Sequence, residues 1–144
     1  MRSLFVAGLI LLIAPRVRAQ DALPRFALNG HRAGETSAAG EPWTECRKLD
    51  DVTQMCAREG EAIGSMKIDA GYLYRNNRLS LVHIKADSAA AFDPVLATLI
   101  KRYGAPRALR RGKAFDYAQW QFSDGRLHLT RTGSLVIAQF AAGR

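Results

Sequence analysis

From Phe92 to Tyr103 the apolar residues Phe92, Val95, Leu96, Leu99, Ile100 and Tyr103 recur at helical spacing, which places them on one stripe of a helix. Asp93 and Pro94 suit the N-cap and first helical positions. Lys101 and Arg102 fall in the last turn, where the helix dipole favours cations, and Gly104 with Pro106 stops the element. This segment alone carries both a start and a stop signal. The rest of the chain is therefore expected to supply the surface that the stripe covers.

Elsewhere the pattern alternates. Phe26 and Leu28 mark a short strand in Pro24–Asn29, closed by the Asn29-Gly30 turn signal, and the small, polar residues His31–Gly40 read as a loop running on towards a helix. Pro42–Lys48 is expected to be a short helix with Trp43 and Cys46 one turn apart on its buried side. Asp51–Glu59 reads as a strand, with a turn or irregular edge around Glu61 between Gly60 and Gly64. Met66–Tyr74 and Leu79–Ala86 flank Asn76-Asn77, residues that tolerate the positive φ of a tight hairpin. After the helix, a basic connection (Arg107–Lys113) leads to three strands, Ala114–Phe122, Arg126–Arg131 and Ser134–Phe140, which form a meander.

Tyr72-x-Tyr74-x-x-x-Arg78-Leu79-x-Leu81 returns 48 residues later as Trp120-x-Phe122-x-x-x-Arg126-Leu127-x-Leu129. In each hairpin the aromatic pair, and the leucine pair after it, share a face by the period-2 rule. The pattern fits a helix-then-hairpin unit used twice, and it equally fits two hairpins of like composition. Either way the expected fold is α+β: a two-layer sandwich of an antiparallel meander sheet with one or two helices on one face.

Composition changes the picture at the N-terminus. Residues 1–19 read as a secretory signal peptide, with Arg2 ahead of an apolar run, Leu4–Ala14, and small residues Val17 and Ala19 before a cut near Gln20. The apolar run is too short to span a membrane as a helix. Cleavage leaves residues 20–144 as one periplasmic or secreted domain. It removes Arg2, Arg16 and Arg18 but no acidic residue, lowering the formal charge from +8 to +5. Cys46 and Cys56, the only two cysteines, are expected to pair in an oxidising compartment.

The ending Leu99-x-x-Arg102-Tyr103-Gly104-x-Pro106, followed by Trp120 and Gly125-x-Leu127-x-Leu129, resembles a loose group of small exported bacterial proteins of unassigned function. More distantly, the helix-plus-meander layout looks like the BamE (SmpA/OmlA) and β-lactamase-inhibitor-like domains. That resemblance implies a domain that binds other proteins and catalyses nothing. The chain departs from BamE in lacking a lipid-bearing cysteine.

Little in the sequence points to catalysis. There is no nucleophile elbow, no His-Glu-x-x-His helix and no phosphate-cradling glycine loop. His83 and His128 each sit in the outgoing strand of a hairpin and could share a sheet face, which keeps a small envelope hydrolase or metal-dependent enzyme as the alternative. No metal ligand set and no cofactor motif is recognised. Glu41, Glu45, Glu59 and Glu61 read as solvated charges. Trp43, Tyr72, Tyr74, Tyr117 and Trp120 read first as packing residues and second as a contact patch.

The run Lys101, Arg102, Arg107, Arg110, Arg111 and Lys113 contains no acidic residue. It is the candidate partner-binding segment, directed at an envelope protein or an anionic surface, with nucleic acid disfavoured by the compartment. The expected function is thus a non-catalytic exported binding domain. Its partner and oligomeric state have no signature in the sequence.

Overall fold

The computed structural model describes residues 23–37 and 41–143. The expected signal peptide, the cut near Gln20 and positions 38–40 of the expected loop lie outside the described residues. Strands dominate: β1 (Ala27–Leu28), β2 (His31–Arg32), β3 (Glu45–Lys48), β4 (Thr53–Ile63), β5 (Met66–Arg75), β6 (Arg78–Ala86), β7 (Ala108–Arg110), β8 (Phe115–Phe122), β9 (Gly125–Thr132) and β10 (Leu135–Ala142). The one α-helix among the described residues is α1 (Phe92–Tyr103), entered through a 3₁₀ turn at Ala89–Ala91.

The two-layer α+β sandwich is therefore corrected to a mostly β fold built on one eight-stranded antiparallel sheet, ordered β3-β4-β5-β6-β10-β9-β8-β7. Two meanders, β3 to β6 and β7 to β10, lie side by side and join where β10 pairs with β6. The expected helix at Pro42–Lys48 is the strand β3. Its residues are all exposed and leave no buried stripe for a helix, whereas pairing with β4 sets Cys46 directly opposite Cys56. The two cysteines are disulfide-bonded, and so short a loop contributes about 2 to 3 kcal/mol in the chain-entropy picture. Without that helix there is no repeated helix-then-hairpin unit. The paired hairpins do exist, as β5–β6 and β8–β9.

One sheet face holds the core. Tyr72, Val82, Ile84, Trp120, Leu129 and Phe140 are among its buried residues, and α1 adds Phe92, Val95 and Leu99 to the same core. A strap from Pro24 to Ala33, turned at Asn29 (φ 48°) and Gly30 (φ 86°), lays Phe26 and Leu28 into the same core. The strap is tied down by Tyr103 Oη donating to Ala27 O (2.6 Å), Phe26 N–H to Asp124 Oδ1 (2.9 Å) and Ser123 N–H to Pro24 O (3.0 Å). Asp93 is not the N-cap. The 3₁₀ turn runs straight into the helix, so Ala91 holds that position and the Asp93 carboxylate pairs with Arg111 at 2.7 Å.

Two irregularities decide which side chains face the core. In β4, Gly60 (φ 65°) sits in a bulge between Arg58 and Glu61 that reverses the alternation, turning Glu61 and Ile63 inward with Cys56. In β6 a register shift opposite Leu73 and Tyr74 leaves Leu79 buried but Leu81 half-exposed, so these two leucines do not share a face. Gly125 has ordinary φ and is needed for another reason: a side chain there would collide with the Ala141 carbonyl oxygen and the Phe140 ring.

Candidate functional site

Strand alternation with this register builds a second sheet face that no element among the described residues covers. Buried Val82 and Ile84 flank His83, buried Leu127 and Leu129 flank His128, and Ala118 and Trp120 flank Gln119, so the intervening side chains point away from the core. The pairings His83↔Gln139, Gln139↔His128 and His128↔Gln119 place four residues in one row across β6, β10, β9 and β8. The two histidines thus share a face, with Gln139 between them. Among the described residues no group of three or more His, Cys, Asp and Glu is arranged to hold a metal.

Around the row stand Tyr117, Thr130 and Ile137 on one side, and Leu81, Ala141 and Arg126 on the other. Tyr117 Oη donates to Gln119 Oε1 (2.6 Å) and lies 3.3 Å from His128 Nδ1, which orients both polar ends of the row's β8–β9 half. Burial pulls the His128 pKa below its ordinary value, and the Arg126 charge lowers it further. A shallow recess of about 310 Å³ lies over His128, Thr130, Ile137, Gln139 and Ala141.

The basic run does not form one patch. Lys101 and Arg102 lie at the C-terminal end of α1, on the covered side of the sheet, and Arg102 donates to Asn29 Oδ1 at 3.3 Å. Arg111 is a clamp: it pairs with Asp93, lies 3.6 Å from Asp116 and rests over the Phe92 ring. Arg107 borders a cleft beside Tyr103 and Trp120, and Lys113 is exposed in the turn before β8. Only Arg110, directly opposite Tyr117, reaches the uncovered face. Arg126, outside the expected set, joins it there. The open-face positions of β7 to β10 contain no aspartate or glutamate.

A second cluster lies on the covered side, and nothing in the sequence pattern brings its members together. Glu61 is 4% exposed and is not the solvated charge it was expected to be. It accepts from Asn29 Nδ2 and pairs with Arg58 at 3.3 Å; Arg58 also reaches Glu41 at 3.3 Å and lies over the Trp43 ring. His31 sits between Trp43 and Tyr72, with Nε2 3.9 Å from Glu41. The Tyr72 hydroxyl is fully enclosed, and its pKa is pushed far up by burial and then by Glu61. Arg58, Glu61, Glu41 and Asn29 satisfy one another, whereas the enclosed Tyr72 hydroxyl has no hydrogen-bond partner. The cluster's evident work is to hold the strap, the segment around Trp43 and the bulged end of β4 together.

That arrangement sets a pH dependence. Burial lowers the His31 pKa more than Glu41 and Glu61 raise it. The unfolded chain therefore binds protons near the ordinary histidine value of about 6.5 that the folded state refuses, so stability is full above that pH and declines as pH falls below it. A thermal melt at pH 5.5 is expected to lie below one at pH 7.5, with the difference reduced in His31→Gln. Asp116, held low first by Arg131 and then by the Gly112 N–H, adds its own loss only at more acidic pH, below the ordinary aspartate range.

The chain matches no family model, no curated protein and no solved structure.

Proposed function

We propose that this chain is a non-catalytic, exported binding domain that engages an anionic component of the cell envelope through the uncovered face of the β7–β10 meander and β6. One observation carries the reading. That face combines half-buried aromatic and aliphatic side chains, a row of amide and imidazole groups, and the cations Arg110 and Arg126, with no carboxylate at the open-face positions of β7 to β10. A solvated sheet face is ordinary in antiparallel proteins. A recessed and hydrogen-bonding one whose charges on β7 to β10 are all positive, with Lys85 of β6 already paired to Asp87, favours an oppositely charged partner. Export rests on the reading of residues 1–19 and agrees with the Cys46–Cys56 disulfide. No helix among the described residues is long and apolar enough to cross a membrane.

The test separates this face from net charge. Arg110→Glu/Arg126→Glu and Lys101→Glu/Lys113→Glu change the net charge equally, but only the first pair alters the open face. Binding to a panel of anionic glycans, anionic vesicles and acidic peptides is measured for both. The first pair is expected to lose at least about tenfold in affinity and the second to stay within about threefold. Equal losses in the two would reduce the interaction to bulk charge and remove the open face from it.

A further inference from the structure

The open-face row has a geometry that narrows the partner further. His83, Gln139, His128 and Gln119 are direct cross-strand neighbours in sequence, so they are spaced by the separation of adjacent strands, about 4.8 Å, along a line perpendicular to the strands. That interval is close to the length of one pyranose unit in an extended glycan chain. Imidazole and carboxamide groups each both donate and accept, which is what sugar hydroxyls require. The recess lies over the middle of the row, at His128 and Gln139, and extends along β9 and β10 to Thr130, Ile137 and Ala141, while Tyr117, Ile137 and Leu81 offer apolar surface beside the row for the C–H faces of the rings.

Charge chooses among glycans. Arg110, beside Tyr117, and Arg126, beside Ala141, stand on opposite sides of the row. A neutral chain would leave both charges without a counter-ion, Arg126 keeping only its hydrogen bond to Gln121 Oε1, whereas carboxylates projecting from alternate sides of an acidic chain would meet them. The recess is shallow and holds no deep apolar slot for an acyl chain. A peptide strand, for its part, would seek a sheet edge for its backbone hydrogen bonds rather than cross the strands at right angles.

Resting on the binding reading above, we infer that the row His83–Gln139–His128–Gln119 is the binding track for a linear acidic polysaccharide, which lies across β6, β10, β9 and β8 with one sugar unit per strand. The track is four strands long. Affinity then depends on chain length in a specific way.

Calorimetric titration of the oxidised protein with β-linked oligomannuronates, dimer through hexamer, tests this. Each unit up to the tetramer is expected to strengthen binding by about threefold or more, with little further gain beyond it. Gln139→Ala, in the middle of the track, should weaken the tetramer about tenfold. Gln119→Ala, at its end, should bring the tetramer down to the trimer, and it serves alone if Gln139→Ala disturbs the fold. Affinity that grows steadily with charge through the hexamer, or oligoglutamate or anionic vesicles binding as tightly, would overturn the glycan track while leaving an anion-binding face in place. Neutral cello-oligosaccharides binding equally well would overturn its acidic character. If no polyanion of any class binds saturably, both the track and the binding reading fall.

Discussion

Replacing Phe26 by alanine lowers the free energy of unfolding by about 3 to 5 kcal/mol, as expected for an aromatic side chain deleted from a closed core. Phe26 belongs to a strap with only two-residue strands, yet it is 1% exposed. Its ring stacks on Phe140 at 3.9 Å and meets Phe122 edge-on at 5.4 Å, with Tyr103 of α1 at 5.9 Å. The strap and the helix thus share the work of covering the sheet, and the truncated ring leaves a void that neither can fill without moving. The thermal midpoint should drop by roughly 10 to 20 °C. A loss below about 1 kcal/mol would mean that the strap is peripheral and that α1 alone closes the core.

The second large effect is at Arg58. Arg58→Met is expected to cost about 3 to 5 kcal/mol, because it strands the buried Glu61 carboxylate and the half-buried Glu41 without their shared cation. Adding Glu61→Gln should return a good part of that loss, since the amide can still accept from Asn29 without carrying a charge. Denaturant unfolding of the two single variants and the double variant measures the coupling. A double variant that is simply the sum of the singles would show that the pair does not act as a unit.

How much of this could be read from the chain depends on how local each determinant is. α1, the Asn76-Asn77 turn (φ 50° and 60°) and the disulfide follow from signals within a few residues of one another. β3 has the pattern of a helix because Trp43 and Cys46 are spaced like one helical turn, while what orders the segment is register with β4, a non-local fact. β7 is too short, at three residues, to show an alternation. Glu61 reads as solvated because Gly60 and Gly64 mark its segment as a turn, whereas the Gly60 bulge keeps it in β4 and turns it towards the core. Its partner Asn29 comes from the strap, and its other partner Arg58 is shared with Glu41 from a third segment.

The open face was partly legible. Alternation alone suggests that His83 and His128 share a side. That Gln139 falls between them depends on the second meander closing back onto β6, and no local pattern announces that closure. The same holds for the basic run, which is continuous in sequence but divided in space. The chain after β7 brings Arg111 back to Asp93 at the start of the helix, leaving Lys101 and Arg102 at the other end.

The most direct measurement is a map of NMR shift changes on adding an acidic oligosaccharide to the isotopically labelled, oxidised protein. Binding at the open face predicts saturable shifts in the imidazoles of His83 and His128, the side-chain amides of Gln119 and Gln139, and the backbone around Arg110 and Arg126, with α1 and the strap unmoved. Shifts gathered instead on Lys101, Arg102 and the end of α1, or no saturable shift on the open face, would contradict it.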